Sequence, residues 1–546
     1  MATKTKAKKK TTSPLPDHLE VSLSDPAMDV LLRAGIGGLA TTLKEFELEV
    51  QCGKIDDLPD GYWNGDPPWE ITSSKIIFRF HDPAKVAEYF EPIFQFAFQI
   101  HAAERVINLR PVFQLSAGNT ALLAQLQRGL MLTFLQHGKS RKGAKKDEVR
   151  SIEIDGKPHQ YSVRALDWFK HQDGYLDLID KRTQGLSLKP QEIPGTLYPG
   201  AAVRHNAFAG HTKQEGNAAQ LLAAYFAPIG TLALPVNRGA AVLLVPEVHD
   251  LKAFASKRPM LTPRNYQDCL ISGTGDAVLQ LYTRIRGEDV QGHLAVDAIH
   301  AYLFQPTAWA SQQKSRVASE RIEPLPDREF FIFRFASDFF QPKRRSRTIR
   351  EKAKRGEKAV ERTEYFWSTS IIRPMIAKNL ASGAPWFHDF HRLFVDRDPA
   401  NGKPYRDRLF FEREGLIQMV QSDVWDDNGQ QTLVRAVHHA LRGRYGQIAK
   451  ENEGSPVAMR NRFRGEYDRW RLAFSGAKTA DQFRNSICDL LSRVPANKEL
   501  QKHWTDVLPL LDTSGWQHAR DLALLAMASY QGNGDKELTP GETDDS

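Results

Sequence analysis

Cysteine is nearly missing from this chain of 546 residues: Cys52, Cys269 and Cys488 are the only three, and they lie far apart. Three scattered thiols make neither a disulfide framework nor a zinc site, and they suit a reducing cytoplasm. Long apolar runs are missing too. The most apolar stretch, GAAVLLVPEV, ends after about eight residues where a membrane helix needs roughly 20, so it reads as a buried strand. The basic N-terminus, MATKTKAKKKTTSPLP, has no apolar signal-peptide region, and residues 1–17 are expected to be a flexible tail. No GxxxxGK loop, HExxH helix or GxSxG elbow occurs.

Weaker traces of chemistry each meet a plainer explanation. Gly35-Ile36-Gly37-Gly38-Leu39-Ala40 satisfies a relaxed dinucleotide fingerprint, but it interrupts a helical pattern where a strand should precede it, so a local bend or turn is expected. Glu153, Asp155 and Lys157 are the residue types of a metal-dependent nuclease centre, yet Asp155 falls in a tight Asp-Gly turn. His388 and His391 in FHDFH can share a helical face, without a cysteine or carboxylate partner evident nearby in sequence. The adjacent His438 and His439 read as one interface residue and one surface residue. The expectation is a chain with no catalytic residue, no cofactor and no metal.

What is present is an ordinary globular composition, 41% hydrophobic and 10% aromatic, on a chain too long for one core. Two or three domains follow. DPAMDVLLRAGIGGLATTLKEF predicts a helix with Asp25 as N-cap and Pro26 at the first position, and DPAKVAEYFEPIFQF repeats that start. KIIFRF reads as a strand, and ALLAQLQRGLMLTFLQH as a helix followed by the loop GKSRKGAKKDE. SIEI, Asp155-Gly156 and KPHQYSV predict a hairpin. AAQLLAAYF is helical, TLALPVN-RG-AAVLLVPEV reads as paired buried strands, and REFFIFRFASDFF as a further strand. Beyond about residue 415 only amphipathic helices are predicted, with Thr479 and Ser514 as N-caps, in an antiparallel bundle. The fold class is therefore α+β. A basic tail (1–17) leads into a mixed body (18–342), a basic loop and connector (343–414), a helical bundle (415–531) and an acidic tail (532–546).

The formal charge of +8 is unevenly placed. Residues 343–362, KRRSRTIREKAKRGEKAVER, hold about ten basic and three acidic side chains, almost the whole excess. Cations neutralising phosphates are the main source of nucleic-acid affinity, and arginine offers bidentate contacts. The backbone-binding candidates are Lys139, Arg141 and Lys142 in the first loop, with Lys145 and Lys146 beside them, and Lys343, Arg344, Arg345 and Arg347 in the second. On the bundle they are Arg435, Arg442 and Arg444, then Arg460 and Arg464; seven- and four-residue spacings put members on one helix face. Arg204, His205 and Asn206 after Tyr198-Pro199-Gly200, and Asn237 and Arg238 in a hairpin turn, have the chemistry of base-edge contacts. For each group the plain alternative is a solvated charged face or a turn-stabilising side chain.

The order LMLTFLQHGKSRKG, LYPGAAVRHNAFAGHT, YFAPIGTLALPVNRG, and then FRGEYDRWRLAFSGAKTADQFRNSICDLLSR with ARDLALLAMASY, resembles the large subunit of a type I CRISPR surveillance complex, Cascade. The subtype I-B group with its Myxococcus-like variant is the nearest in kind, and the resemblance spans most of residues 100–530. It implies a non-catalytic protein that holds the guide RNA 5′ handle, inspects the PAM on target double-stranded DNA and helps start the R-loop. Its implied partners are the other Cascade subunits (backbone, handle-binding and small) and a separate helicase-nuclease. On this reading Asn119, Arg204, His205, Asn206, Asn237 and Arg238 take base-edge or wedge roles, and the bundle arginines face the displaced strand. Some such systems also make the terminal domain alone from an internal start, for which Met419 is the candidate; as a plain alternative it is a core residue. Two other readings stay open: a stand-alone non-specific single-strand-binding or RNA-processing accessory protein, and a metal-dependent nuclease.

Overall fold

The computed structural model describes residues 15–113, 119–154, 156–193, 197–199, 215–236, 239–288, 296–309, 312–351, 360–398 and 402–532. The expected sites Arg204, His205, Asn206, Asn237 and Arg238 lie outside the described residues, as do Asp155 and the side chains of Lys157 and Arg347. Contacts divide the chain into two compact units, Met1–Pro324 with Arg344–Trp367, and Leu325–Lys343 with Ser368–Ser546.

The first unit is mixed. Strands β1 (His18–Ser22), β2 (Trp69–Ile71) and β3 (Lys75–Arg79) form a small sheet in the order β1-β3-β2. Helix α1 (Val30–Gln51) is capped by Asp29, whose carboxylate accepts the Leu32 N–H at 2.8 Å. Asp25 is therefore not the cap. It accepts the Ala27 N–H at 2.9 Å, closing a turn around Pro26 one turn ahead of the helix. The second Asp-Pro pair behaves alike: Asp82 accepts from Ala84 at 2.9 Å, and α2 (Val86–Ala97) starts beyond it. Helix α3 (Thr120–Leu132) follows, and the expected GKSRKG loop partly becomes strand β4 (Arg141–Gly143). The Asp-Gly hairpin forms as expected from β5 (Glu148–Ile154) and β6 (Lys157–Val163), with Ile154 opposite Lys157 and Gly156 at φ +70°. Strand β7 (Leu166–Phe169) pairs with β4.

Helix α4 (Ala218–Gly230) lies against α1 so closely that the glycines are obligatory. A Cβ on Gly35 would sit 2.0 Å from the Ala223 carbonyl oxygen, and one on Gly230 would sit 1.7 Å from that of Ala34. The Gly35–Ala40 run is thus neither a bend nor a nucleotide loop; α1 continues through it, and its small face admits another backbone. Both helices border a four-stranded antiparallel sheet, β8 (Leu232–Val236), β9 (Ala240–Val248), β10 (Val296–Trp309) and β11 (Gln312–Ile322), in that order.

REFFIFRFASDFF is a helix, α5 (Asp327–Phe339), rather than a strand. Its phenylalanines favour strands by propensity, but burial falls on Ile332, Phe333, Ala336 and Phe340, a helical period with acidic residues in the first turn. The basic run expected as a loop from residue 343 mostly forms two paired strands, β12 (Lys343–Glu351) and β13 (Val360–Ser368).

The second unit is helical: α5, α6 (Arg406–Gln421), α7 (Asn428–Glu451), α8 (Pro456–Ser475), α9 (Ala480–Ser492) and α10 (Trp516–Ser529). Helix α10 is buried on every side from Asp521 to its end, and α6, α7, α8 and α9 all pack on it. Thr479 caps α9 through the Gln482 N–H at 3.3 Å, as expected. Ser514 does not cap α10. Asp512 takes its N–H and hydroxyl, together with the Gly515 N–H, in the turn before the helix. No helix among the described residues is long and apolar enough to cross a membrane.

Candidate nucleic-acid interface

Helix α7 presents two faces. Its apolar residues Leu433, Val437, Ala440 and Leu441 are buried, and Asp427 caps it through the Gln430 N–H at 2.8 Å. On the solvent side Arg435 and Arg442 are exposed, two turns apart, with no ion-pair or hydrogen-bond partner among the described residues. They form a ridge between two hollows. One, of about 270 Å³, is lined by Gln421, Val434, His438 and Tyr530 as well as both arginines. The other, of about 360 Å³, adds Thr432, His439, Asn497 and His503. His438 turns inward between them, its Nε2 2.9 Å from the Ala526 carbonyl and 3.1 Å from Ser529 Oγ. Burial pushes its pKa down to about 4, so it is neutral there. His439 instead meets the Pro495 carbonyl at 3.1 Å.

Arg444, two residues beyond Arg442, behaves oppositely. Its Nε meets Glu466 at 3.0 Å with both side chains largely buried, and Trp470 Nε1 donates to the same carboxylate at 2.8 Å. Burial works against the Glu466 charge, but the Arg444 and Trp470 hydrogen bonds win and hold its carboxyl below the ordinary range. Arg444 therefore ties α7 to α8 and presents no free cation. On α8, Arg460 and Arg464 are exposed one turn apart with no partner among the described residues. Arg469 and Arg471 are paired with Asp489 and Asp468 at 3.1 and 3.0 Å.

In the first unit the basic candidates also divide. Lys139 is exposed, and Lys142 sits over the Trp168 ring at 4.9 Å with its stem on β4. Arg141 is half-buried, and burial, then the nearby Arg164, lowers its pKa. Arg344 is an anchor: its terminal nitrogens donate to the carbonyls of Ile154, at 2.9 Å, and Pro158, and its guanidinium lies 4.6 Å from the Tyr365 ring centre. It pins the β12–β13 arm to the Asp-Gly hairpin. Arg345 is half-buried, and within the second unit Lys343 lies 3.6 Å from Glu414. Asn119 caps α3, its Oδ1 accepting the Leu122 N–H at 3.1 Å.

The FHDFH histidines do have a carboxylate partner, 130 residues away in sequence. Asp521 of α10, 2% exposed, accepts the backbone N–H groups of Asp389 and His391 at 2.8 and 3.0 Å, and His391 Nδ1 lies 2.8 Å from it. His388, Asp389 and Asp521 are close enough to share an ion. However, Arg392 meets Asp389 at 3.0 Å and Arg520 Nε lies 3.9 Å from Asp521, so two arginines already balance the two carboxylates. The cluster ties the turn to α10. Glu153 is exposed on its hairpin. Met419 is fully buried in the last turn of α6. Sequence reasoning missed Asp521, which no local pattern signals, and the length of β10–β11, where Pro306 masks the strand pattern.

Comparison with known proteins agrees with this architecture. Residues 20–225 match the DevT N-terminal domain and residues 421–546 the DevT C-terminal domain. The chain is 34% identical over 537 residues to the CRISPR-associated protein Cas8a1/Csx13 of Myxococcus xanthus (strain DK1622), covering 95% of this chain and 90% of that protein. It therefore belongs to the Cas8a1/Csx13 family of CRISPR-associated proteins, the large Cascade subunits whose segments it resembles.

Proposed function

We propose that this chain is a non-catalytic large subunit that recognises the PAM on target double-stranded DNA, contacts the guide RNA 5′ handle and promotes R-loop formation. Its partners are then the other Cascade subunits, the guide RNA, the target duplex, the displaced strand and a separate helicase-nuclease recruited for cutting. The observation that carries the nucleic-acid part is the α7 ridge, where Arg435 and Arg442 stand unpaired between two hollows. Two turns of helix separate them by roughly 10 Å, so the two guanidinium groups can meet different phosphates along one strand. Arg460 and Arg464 extend the cationic surface along α8, and Lys139 and Lys142 supply cations on the first unit. Base-edge contacts are assigned to Asn119, Arg204, His205, Asn206, Asn237 and Arg238 on side-chain chemistry alone. Asn119 then acts through its amide N–H groups, since its oxygen caps α3.

Co-expression of the tagged chain with its genomic neighbours tests the assignment. A uniform short RNA with a repeat-derived 5′ end, retained with several proteins, is the expected result. A lone chain with heterogeneous RNA, or none, favours the stand-alone binder. Divalent-metal-dependent cleavage by the purified chain favours the nuclease. Met419 is proposed as an internal start because a product beginning there keeps α7 to α10 whole. Met419→Leu should then abolish a short C-terminal product seen on immunoblot, and its unchanged persistence rejects that start.

A further inference from the structure

The hollow of about 270 Å³ beside the α7 ridge receives a glutamine from each of three elements of the second unit. Gln421 is the last residue of α6, Gln431 lies in the first turn of α7, and Gln531 follows directly on the end of α10 and Tyr530. Gln421 and Gln531 are exposed and Gln431 is half-buried. None of the three side chains has a hydrogen-bond partner among the described residues. On α7, Gln431, Arg435, His438 and Arg442 succeed one another at spacings of four, three and four, which puts them on one face. Val420, Val434 and Tyr530, all buried, line the same space, and no carboxylate does.

A glutamine amide on a helix surface ordinarily bonds to water, so one free amide signals nothing. Three amides brought from α6, α7 and the end of α10 to one partly apolar space differ from that. A ligand there meets amide donors and acceptors, aliphatic and aromatic contact, and two unpaired cations on one edge. A phosphate alone would use the arginines and neither the valines nor the amides. An apolar peptide would use the valines and leave the arginines desolvated. An unstacked nucleobase in a single strand uses all three, since it has polar edges, apolar faces and a phosphate on either side. The volume is just below the roughly 300 Å³ at which pockets for drug-sized ligands begin, which suits one base rather than several.

We propose that the hollow bordered by α6, α7 and α10 takes one unstacked base of the displaced strand, while Arg435 and Arg442 hold phosphates beside it. This rests on the ridge reading above and adds a base site to it. The purified full chain is titrated with a short oligothymidylate and with an abasic deoxyribose-phosphate chain of the same length and charge. Phosphate contacts alone predict equal affinities. A base in the hollow should make the oligothymidylate bind about tenfold more tightly, within the range for one base held by a protein. Gln421→Ala, Gln431→Ala and Gln531→Ala combined should cut that preference by about threefold or more. The salt slope should stay unaltered, because no cation is removed. Equal affinities of the unmodified protein for the two polymers overturn the pocket and leave the ridge standing, a result that needs no variant to fold. So does a triple variant with unchanged melting temperature that keeps the full preference. Tighter binding of oligouridylate than of oligothymidylate overturns the displaced strand as the source of the base. Failure of the ridge reading shows separately: the abasic chain does not bind, or Arg435→Ala with Arg442→Ala leaves its affinity unchanged. Either result rejects the ridge, and the strand beside the hollow with it.

Discussion

Arginines in two regions of this chain do opposite work. In the β12–β13 arm, Arg344 gives its terminal nitrogens to the carbonyls of Ile154 and Pro158 and lies against Tyr365. On α7, Arg435 and Arg442 have no partner among the described residues and stand between two hollows. The arm looks more like a nucleic-acid binder in sequence because its charge is dense. Density is a poor guide, since a guanidinium whose donors are committed to carbonyls has few left for a phosphate. The contrast recurs within one helix, where Arg442 faces solvent and Arg444 is locked to Glu466. A cation's role depends on whether an acceptor already lies within reach.

The largest test of inward against outward groups on α7 is a titration. Unfolded, His438 protonates near its ordinary value of 6.5; folded, it stays neutral down to about 4. The unfolded chain thus binds the extra proton between those values, and stability must fall as pH drops from 6.5 towards 4. The loss should approach about 2 to 3 kcal/mol, from roughly 1.4 kcal/mol per pH unit. Urea unfolding of wild type and His438→Gln at pH 7 and pH 4.5 measures it, and an equal acid loss in both places the effect elsewhere. Next, Arg444→Ala should cost about 2 kcal/mol in the same assay, because it strands a largely buried carboxylate. Arg435→Ala with Arg442→Ala should do the reverse. Stability should change by less than about 0.5 kcal/mol, while the complex binds the displaced strand about tenfold more weakly with a salt slope reduced by about 1.4. A stability loss without an affinity change would erase the distinction drawn on α7. The smallest expected effect is at Arg344→Ala, about 1 kcal/mol from lost hydrogen bonds, with the salt slope unaltered. A reduced slope there would show that the arm's anchor also touches phosphate.

Features set within a few residues were legible. The Asp155-Gly156 hairpin and the Thr479 cap depend on local hydrogen bonds and backbone freedom, and both form where the sequence puts them. Asp-Pro marked two helix starts one turn early, because an aspartate closing a turn around proline uses the same hydrogen bond as an N-cap. Helix α5 reads as a strand by its aromatic content, whereas the spacing of its buried residues is helical. The Gly35–Ala40 run reads as a bend in the sequence, because nothing local shows that Ala223 and Gly230 meet its small face within a continuous helix.

Composition and periodicity alone determined an α+β body followed by a helical bundle, and the placement of arginines at spacings that share a helix face. Those properties arise from backbone geometry and from the tendency of apolar side chains to leave water, which act along the chain. Only the tertiary structure decided which cations remain available. Glu466 reaches Arg444 from another helix, Asp521 reaches His391 across 130 residues, and the Ile154 carbonyl reaches Arg344 from another hairpin. Each of these contacts depends on distance in space, and the spacing of residues along the chain carries no record of it.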